Sequence, residues 1–485
     1  MRWSLVVLLW LAPTLELAQG QTQEDWFHAD FRGERTRVSD ACKGGFKAAP
    51  ACAIELFTDH PLHIAAGSLP AQNGFGLGLA FDQARNTTNW RVTWDADAVG
   101  TTNGSWRAGG YMKFVHTPNE AVHVIKVNIP GPSQPGAPAA PKPAVKKKNI
   151  DLTHPYTVFN LYAQTISLNK LNYFGEGNDS TLIGASVFGM TQTIVGASVI
   201  KPVYEWEAIK KLNLSFNGEV NGRFVNVRGE SGQSVPSIET LYTNATAPGI
   251  TSQPAFVQLG QGIRIKPVIA DHLELNYSGT LQEFVAPSSS QNSFERWTID
   301  LNHTFNLYGY SKAPLAIINT NDKGPDSCAY GEDKCPPVSR SRNLNGSIGA
   351  RLLISESINS ATSAVPFYFQ PTLGGSDING ALALGSYQDY RFRAPNLLLV
   401  QENFEHSIWG PFGVKLQADQ GRVALTRSDV GFDHLRHSYA AGFTLRAGGF
   451  PMVSMMFAWG GPEGHHNLFN MNPSLLGGAA RPGLD

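Results

Sequence analysis

The sequence predicts an all-β fold, a transmembrane antiparallel β-barrel. Three features predict it: alternation of apolar and polar residues in short segments, an export signal at the N-terminus, and a glycine- and arginine-rich motif between Leu373 and Asn396. No segment contains the roughly 18 to 20 uninterrupted apolar residues of a membrane-spanning helix.

Alternation is clearest from Arg91 to Ala98, where apolar residues hold the even positions and polar residues the odd ones. A period of two with charges on one face indicates a strand with one apolar and one wet face. The pattern recurs in other segments: Leu212–Asn217, Leu273–Tyr277, Trp297–Asn302, Val414–Asp419 and Phe443–Arg446. A soluble β-sandwich alternates too, so this feature alone leaves both architectures open.

The N-terminus is typical of a secretory signal peptide. Met1 and Arg2 form a short basic start, an apolar core runs from Leu5 to Ala12, and Ala18-Gln19-Gly20 has the small-x-small pattern of a cleavage site. The apolar core is too short to span a bilayer. We therefore predict a signal peptide at residues 1–20, a short N-terminal periplasmic or plug segment at residues 21–60, and the barrel at residues 61–485.

Charge and motifs exclude several classes of function. The chain of 485 residues has 16% charged residues and a formal net charge of −1, which provides no electrostatic basis for binding nucleic acid. It contains no His-Glu-x-x-His, no Gly-x-Ser-x-Gly elbow and no phosphate-binding Gly-Lys-Ser/Thr loop. We predict no catalytic residues, no metal and no cofactor, and a protein that is not an enzyme. A hydrolase triad assembled from scattered Ser, His and Asp side chains of the lumen stays open as an alternative, although the sequence nominates no particular residues.

The motif near residue 380 carries a family resemblance. Leu373-Gly374-Gly375-Ser376 and Asp389-Tyr390-Arg391-Phe392-Arg393 resemble the lumen-inserted loop of the bacterial surface antigen family of outer-membrane barrels, which includes the BamA assembly proteins and the two-partner secretion transporters. Phe174-Gly175-Glu176-Gly177-Asn178-Asp179-Ser180 resembles a second segment of that family. The resemblance implies sixteen strands, a loop folded into the lumen, and a place among the lipids of a bacterial outer membrane.

Together, the export signal, the lack of an apolar helix and the membrane-protein motif leave a closed barrel, because a barrel satisfies its backbone groups internally. The resemblance singles out loop and wall residues by position. The loop residues are Gly374, Gly375, Leu384, Gly385, Ser386, Tyr387, Asp389, Arg391 and Arg393, and the candidate anchoring residues of the wall are Asp419 and Gly421.

The sequence departs from the family at the loop tetrad. Leu384-Gly385-Ser386-Tyr387 has Gly385 where the family has an arginine that pairs with acidic wall residues. On the wall, Asn403 stands where the family usually has glutamate, and Glu402, one position off, is expected on the opposite face of its strand. We expect Asp419 to hold Arg391 or Arg393 instead.

Four cysteines fall into two local pairs, Cys42 with Cys52 and Cys328 with Cys335. In an exported protein, short separations of this kind predict two disulfides. Metal binding is the alternative, but neither pair has Cys-x-x-Cys spacing.

Two functions remain open at this stage. The first is a translocation or assembly channel with a secreted or membrane-protein client. The sequence between Gln21 and the first expected strand, near Gly74–Leu79, is too short for a periplasmic transport-associated domain, so a separate periplasmic partner is one possibility for such a channel. The second is a passive porin-like or structural surface barrel. A periplasmic partner would favour the first function, and a large, stable conductance without a client would favour the second.

Overall fold

Within the part of the chain that the computed structural model describes, sixteen strands form one continuous antiparallel sheet. The structure describes residues 35–36, 38–40, 42–43, 62–87, 89–116, 156–203, 212–230, 233–270, 272–311, 339–360, 362–409, 412–447, 450–471 and 481–484. The chain divides into two units, Met1–His63 and Ile64–Asp485. In the first unit, Lys43 pairs with Asp40 at 2.6 Å. The predictions for residues 1–20 and most of 21–60 lie outside the described residues and remain predictions.

The strands of the large sheet follow one another in chain order. They are β1 (Leu62–Ser68), β2 (Phe75–Asn86), β3 (Trp90–Thr101), β4 (Trp106–His116), β5 (Val158–Tyr173), β6 (Ser186–Pro202), β7 (Ser215–Gly229), β8 (Phe256–Ile265), β9 (Leu273–Val285), β10 (Phe294–Ser311), β11 (Ser339–Ile358), β14 (Asn396–Trp409), β15 (Phe412–Ala424), β16 (Arg436–Ala447), β17 (Phe450–Gly461) and β18 (Gly464–Met471). Between β11 and β14, β12 (Thr372–Leu373) and β13 (Phe392–Arg393) form a separate pair.

This architecture confirms the all-β fold class and the sixteen strands that the resemblance implied. Most of the segments that alternate in sequence lie within strands of the structure, as expected. Leu212–Asn217 does so only in part, because Asn213 has a positive φ of 44° in a turn and β7 begins at Ser215. The first described strand is β1, which precedes the expected start near Gly74. Helices are short: Ile238–Leu241 is a single turn. Among the described residues, no helix has the length and apolarity needed to cross a membrane.

The sheet buries its polar face and exposes its apolar face. In β3, Asp95 and Asp97 are buried, whereas Ala96 and Ala98, which alternate with them, are exposed. Large apolar side chains lie on the exposed face along the whole sheet: Leu79, Phe224, Leu259, Phe443 and Met455 are examples. The buried face carries Gln164, Gln192, Arg223, Gln258, Asp419 and Arg446 among others. A water-soluble fold shows the reverse, whereas a barrel in lipid has an apolar outer band and a polar interior.

The sheet curves around the segment that joins β11 to β14. In this segment, residues 362–395, which we call the inward loop, the Tyr390 hydroxyl donates to the Ala71 carbonyl between β1 and β2 at 3.1 Å. Arg391 in the same loop pairs with Glu463, between β17 and β18, at 2.5 Å. A single loop meets the first and the last hairpin only if the sheet wraps around it. The predicted loop inside a barrel-like sheet is thus confirmed.

Charge placed on the two faces of β3 tests this orientation. Trp94 shares the exposed face with Ala96, and Thr93 shares the buried, polar face with Asp95. We expect Trp94→Arg to lower the free energy of unfolding by about 2–4 kcal/mol near the middle of a bilayer, and Thr93→Arg to have a much smaller effect. Urea unfolding of the protein in lipid vesicles measures both. Equal losses at the two positions would show that the exposed face does not meet lipid.

Candidate functional site

The inward loop begins with a tight glycine turn. Gly374 and Gly375 have φ values of +107° and +59°, a region that favours glycine. A Cβ on Gly374 would lie 2.6 Å from the Gln388 carbonyl oxygen, and one on Gly375 would lie 2.8 Å from the Asp389 Cα. The two glycines therefore let the strands of the loop lie against each other. The Tyr390 N–H closes the turn by donating to the Gly374 carbonyl at 3.0 Å.

Asp389 holds the other side of this turn. Its Oδ1 accepts the Ser376 N–H at 3.0 Å. Burial raises the pKa of Asp389, and the hydrogen bond from Ser376 opposes that rise. The carboxyl group thus connects the start of the loop to its end.

The tetrad Leu384–Tyr387 lies across the wall formed by β14 to β18. The Leu384 N–H donates to Asp419 Oδ2 at 2.8 Å, and the Ser386 N–H donates to Ser438 Oγ at 2.8 Å. Leu384 is fully buried and has a φ of +53°. A non-glycine residue in this region costs about 1–3 kcal/mol, so the surrounding contacts must hold it there.

The Asp419 carboxylate anchors the loop by accepting a backbone N–H of the loop, and not by pairing with an arginine side chain. Besides Leu384, the Asp419 carboxylate accepts Nε2 of Gln401 at 3.1 Å and Nε2 of Gln417 at 3.0 Å. The predicted pairing of Asp419 with Arg391 is wrong, since Arg391 pairs with Glu463. The reason is position along the barrel: Arg391 lies level with the turns between strands, whereas Asp419 lies within β15.

Gly421 of the wall and Gly385 of the loop lie in different surroundings. A Cβ on Gly421 would lie 2.9 Å from Leu373 Cδ1, so this glycine makes room for the start of the loop. A Cβ on Gly385 would lie 2.5 Å from Leu468 Cδ1 and 3.3 Å from the Ala458 Cβ. An arginine at 385, as in the family, would therefore have to displace Leu468.

The strand before Asp419 has the facing expected from its sequence. In β14, Glu402 is exposed, while Gln401 is buried beside Asp419. Sequence reasoning missed Glu405, which is buried on the same face as Gln401 and pairs with Arg446 at 2.5 Å. Its signal was available, because Glu405 follows Gln401 and Asn403 at the spacing of two that keeps side chains on one face.

Arg391 is the cation that connects distant parts of the sheet. Its Nε pairs with Glu463 at 2.5 Å, and Nη1 and Nη2 donate to the hydroxyl and carbonyl oxygens of Ser180 at 2.7 and 2.6 Å. The guanidinium lies over the rings of Phe174 and Phe392, at 5.0 and 4.7 Å from their centroids. Charge-assisted hydrogen bonds of this kind are about twice as strong as neutral ones. The β5–β6 and β17–β18 turns are held together through this one side chain.

Arg393 holds the loop to itself and to the β5–β6 turn. Its Nη1 donates to the Phe367 carbonyl at 2.5 Å, and its own carbonyl accepts the Gly177 N–H at 2.8 Å. Nearby, Gln370 donates to the Glu176 carboxylate. Burial raises the pKa of Glu176, and the hydrogen bond from Gln370 opposes that rise. The two segments that resemble family motifs therefore touch.

An aromatic turn at Phe367–Phe369, which sequence reasoning missed, forms the apolar centre of the loop. Its three side chains are at most 3% exposed. Phe367 packs edge-on against Phe188 at 5.1 Å, and Phe369 packs edge-on against Phe256 at 5.0 Å. Arg296 of β10 donates to the Phe369 carbonyl at 2.5 Å. Three aromatic residues between Pro366 and Pro371 were the signal.

The predicted disulfides concern residues outside this site. Cys52, Cys328 and Cys335 lie outside the described residues, so the two pairings remain predictions. In the ranges that the structure describes, no three His, Cys, Asp or Glu side chains come together as metal ligands.

Comparison with known proteins finds likeness in structure only. No protein-family model and no curated protein matches the sequence. Similar solved structures include CdiB from Acinetobacter baumannii, with 8% identity and a TM-score of 0.44 over 85% of this chain and 59% of that chain. CdiB from Escherichia coli has 8% identity and a TM-score of 0.46 over 85% of this chain and 62% of that chain. A third is BamA from Haemophilus ducreyi lacking POTRA domains 1-3, with 11% identity and a TM-score of 0.43 over 84% of this chain and 68% of that chain.

This chain therefore spans about 60% of the length of the two CdiB chains (59% and 62%). BamA belongs to the family that the sequence motifs resemble. At 8 to 11% identity and TM-scores below 0.5, the likeness assigns neither a family nor a function.

The glycine turn can be tested with a matched pair of substitutions. Gly380 has a φ of +86°, like the turn glycines, but nothing lies within 4 Å of the position of its Cβ. Gly380→Ala should therefore cost only the backbone strain, about 1–2 kcal/mol. Gly375→Ala should cost clearly more, because its Cβ overlaps Asp389. Limited trypsin digestion at Arg391 and Arg393 reports release of the loop. Equal protection in the two variants would contradict the crowding argument.

A second test concerns Asp419. We expect Asp419→Ala to loosen the loop, because the buried Leu384 N–H loses its acceptor, at a cost of about 1–3 kcal/mol. Planar-bilayer recordings should then show higher or flickering conductance. Asp419→Asn keeps an acceptor oxygen and should behave more like the wild type. Asp433→Ala removes an exposed carboxylate that pairs with Arg422 and serves as the control. Unchanged conductance in Asp419→Ala would mean that other contacts hold the loop.

Proposed function

We propose that this chain is a bacterial outer-membrane barrel that translocates or inserts polypeptides, and that the inward loop closes its lumen at rest. The observation that carries the proposal is the way the loop is held. Its contacts with the wall are hydrogen bonds and an ion pair to a polar inner face, made at both edges of the sheet.

The membrane location is supported by the surface of the sheet. Side chains such as Phe443, 67% exposed, and Met455, 63% exposed, point away from the buried polar face. Exposed apolar area on this scale would favour aggregation in water, whereas in a bilayer it is solvated by lipid. The predicted signal peptide and the resemblance of the loop motif favour the outer membrane.

A polypeptide is the cargo that suits the inner face. Extended chains present N–H donors and carbonyl acceptors at regular spacing, and the buried face offers amide and hydroxyl partners such as Gln192, Gln258 and Ser438. The loop itself shows this mode of contact, since the N–H groups of Leu384 and Ser386 are bound by wall side chains. A client chain would exchange hydrogen bonds with the wall as the loop does.

The loop is held strongly but not covalently. Each hydrogen bond to a charged group contributes about 1.5–3 kcal/mol, which a competing chain can replace. Leu384 and Tyr390 both have positive φ values, 53° and 61°. Such strain favours release once the contacts of Asp419 and Arg391 are lost. The client would be a secreted or membrane protein, delivered by a separate periplasmic partner.

A passive pore is the alternative. The aromatic turn Phe367–Phe369 and the side chains packed on it fill the space inside one end of the sheet. This filling favours a gated channel over a wide, permanently open pore. A large and steady conductance of the wild-type protein would support the passive pore instead.

Site-specific crosslinking tests translocation. A photo-reactive residue at Asn217, on the inner face of β7, should crosslink to a polypeptide in growing cells. The same residue at the neighbouring Phe216, which is 46% exposed on the outer face, is the matched control and should react with lipid.

Two results would contradict the proposal. One is the lack of any polypeptide adduct at Asn217 while the protein is folded in the membrane. The other is the same set of adducts at Asn217 and Phe216, which would indicate neighbouring membrane proteins and not a chain in the lumen.

A further inference from the structure

The segment Arg481–Leu484, which follows β18, lies against the inner face of the sheet and the inward loop. The Leu484 N–H donates to Asn379 Oδ1 of the loop at 2.8 Å. The Leu484 side chain is 5% exposed and belongs to the same apolar cluster as Tyr390, with Ile378 packed against it. The segment is therefore docked at a defined place inside the sheet.

Arg481 makes the polar contact of this segment with the wall. Its Nη2 pairs with Asp97 Oδ2 of β3 at 2.7 Å. The same oxygen accepts Nη2 of Arg107 of β4 at 2.6 Å. The Arg481 guanidinium also lies 5.7 Å from the centroid of the Tyr111 ring, a favourable arrangement for a cation. A carboxylate with an aromatic face beside it is a receptor for a guanidinium.

Asp97 and Arg107 of the wall can form further hydrogen bonds besides the contact with Arg481. Asp97 and Arg107 are 6% and 7% exposed, so they stay desolvated on the inner face. Asp97 Oδ1 and Arg107 Nε have no hydrogen-bond partner within the described part of the chain. Leaving buried polar atoms unsatisfied costs about 1–3 kcal/mol each. The Asp97–Arg107 pair therefore has an acceptor and a donor available for a bound chain.

A cavity with a mixed polar and apolar lining adjoins the segment. Its volume is about 240 Å³, and Tyr162, Asn217, Glu219 and Gln282 line it from the wall, while Arg481, Pro482 and Gly483 line it on the other side. Removal of the segment from the wall would join this cavity to the Asp97 site. An incoming chain would reach the site through this space, where Asn217, Glu219 and Gln282 offer hydrogen-bond partners.

We propose that Asp97, Arg107 and Tyr111 of the wall form a binding site for an extended, arginine-containing polypeptide segment, and that Arg481–Leu484 occupies it at rest. The inference rests on the proposed function, since the competing ligand is a client chain. A client segment with an exposed arginine displaces the resident segment, and the contact of Leu484 with Asn379 of the inward loop is lost at the same step. Binding of cargo and loosening of the loop are thereby coupled.

A labelled peptide measures the site directly. The probe is Ala-Ala-Arg-Pro-Gly-Leu-amide, the sequence of residues 479–484, and binding is followed by fluorescence anisotropy on the full-length protein in detergent. The resident segment competes at an effective concentration in the millimolar range, so wild-type protein should bind the probe weakly. Arg481→Ala should bind it at least about tenfold more tightly. Arg427→Ala, which removes an arginine that pairs with Glu356 elsewhere, should match the wild type.

Two further measurements define the outcome. Replacing the peptide arginine by glutamine, or adding Asp97→Asn to Arg481→Ala, should weaken binding at least about tenfold, the loss of one charge-assisted contact. Heat-modifiable migration on gels confirms that each variant is folded. Equal binding by wild type and Arg481→Ala, absence of binding by both, or binding that ignores Asp97 would overturn the proposal. Peptide binding with no crosslink at Asn217 would retain the site and refute translocation.

Discussion

The structure depends on one constraint: the sheet has its polar face inside. Charged and amide side chains that are buried on that face are removed from bulk water, so a partner within the protein stabilises them. Arg296 donates a hydrogen bond to a carbonyl of the inward loop, Arg446 forms an ion pair with Glu405, and Arg107 forms an ion pair with Asp97. The inward loop is thus more than an insertion, because it supplies partners that the wall alone lacks.

Apolar and polar contacts stabilise different parts of the inward loop. The aromatic turn at Phe367–Phe369 provides burial near one end of the sheet, with Arg223 and Arg296 placed over the rings of its neighbours. Further along the loop, backbone N–H groups bind Asp419 and Ser438. Apolar burial is non-directional, whereas the hydrogen bonds fix which residues face the wall. A loop held in this way has a defined position and remains displaceable.

The anchoring scheme differs from the one that the family resemblance implied. Without an arginine at Gly385, Asp419 is bound by a backbone N–H and two glutamine amides. Arg391, a buried cation of the loop, pairs with Glu463, a residue in a turn. Both charges are thus satisfied, but in separate places. Because Arg391 lies at the level of the turns, it joins hairpins that are far apart in the sheet, which a cation paired to Asp419 would not do.

The sequence by itself determined the strand character and the two faces of the sheet. Alternation is a local property, so β3 and β15 were predictable, and the facing of Glu402 followed from a single step in register. The glycine pair Gly374-Gly375 was recognisable from the family resemblance, whereas the residues that crowd it, Gln388 and Asp389, are known only from the structure. The sequence also contained signals for the aromatic turn, in three adjacent aromatic residues, and for Glu405, in its spacing of two from Asn403.

Only the tertiary structure decided the partners of the charged residues. Arg391 and Glu463, or Arg481 and Asp97, are far apart in the chain and meet because the sheet curves. Curvature sets which levels of the wall face each other, and no local pattern records it. For the same reason, the occupation of the inner face by Arg481–Leu484 was not predictable: its four residues have no periodicity, and their position follows from the wall that they contact.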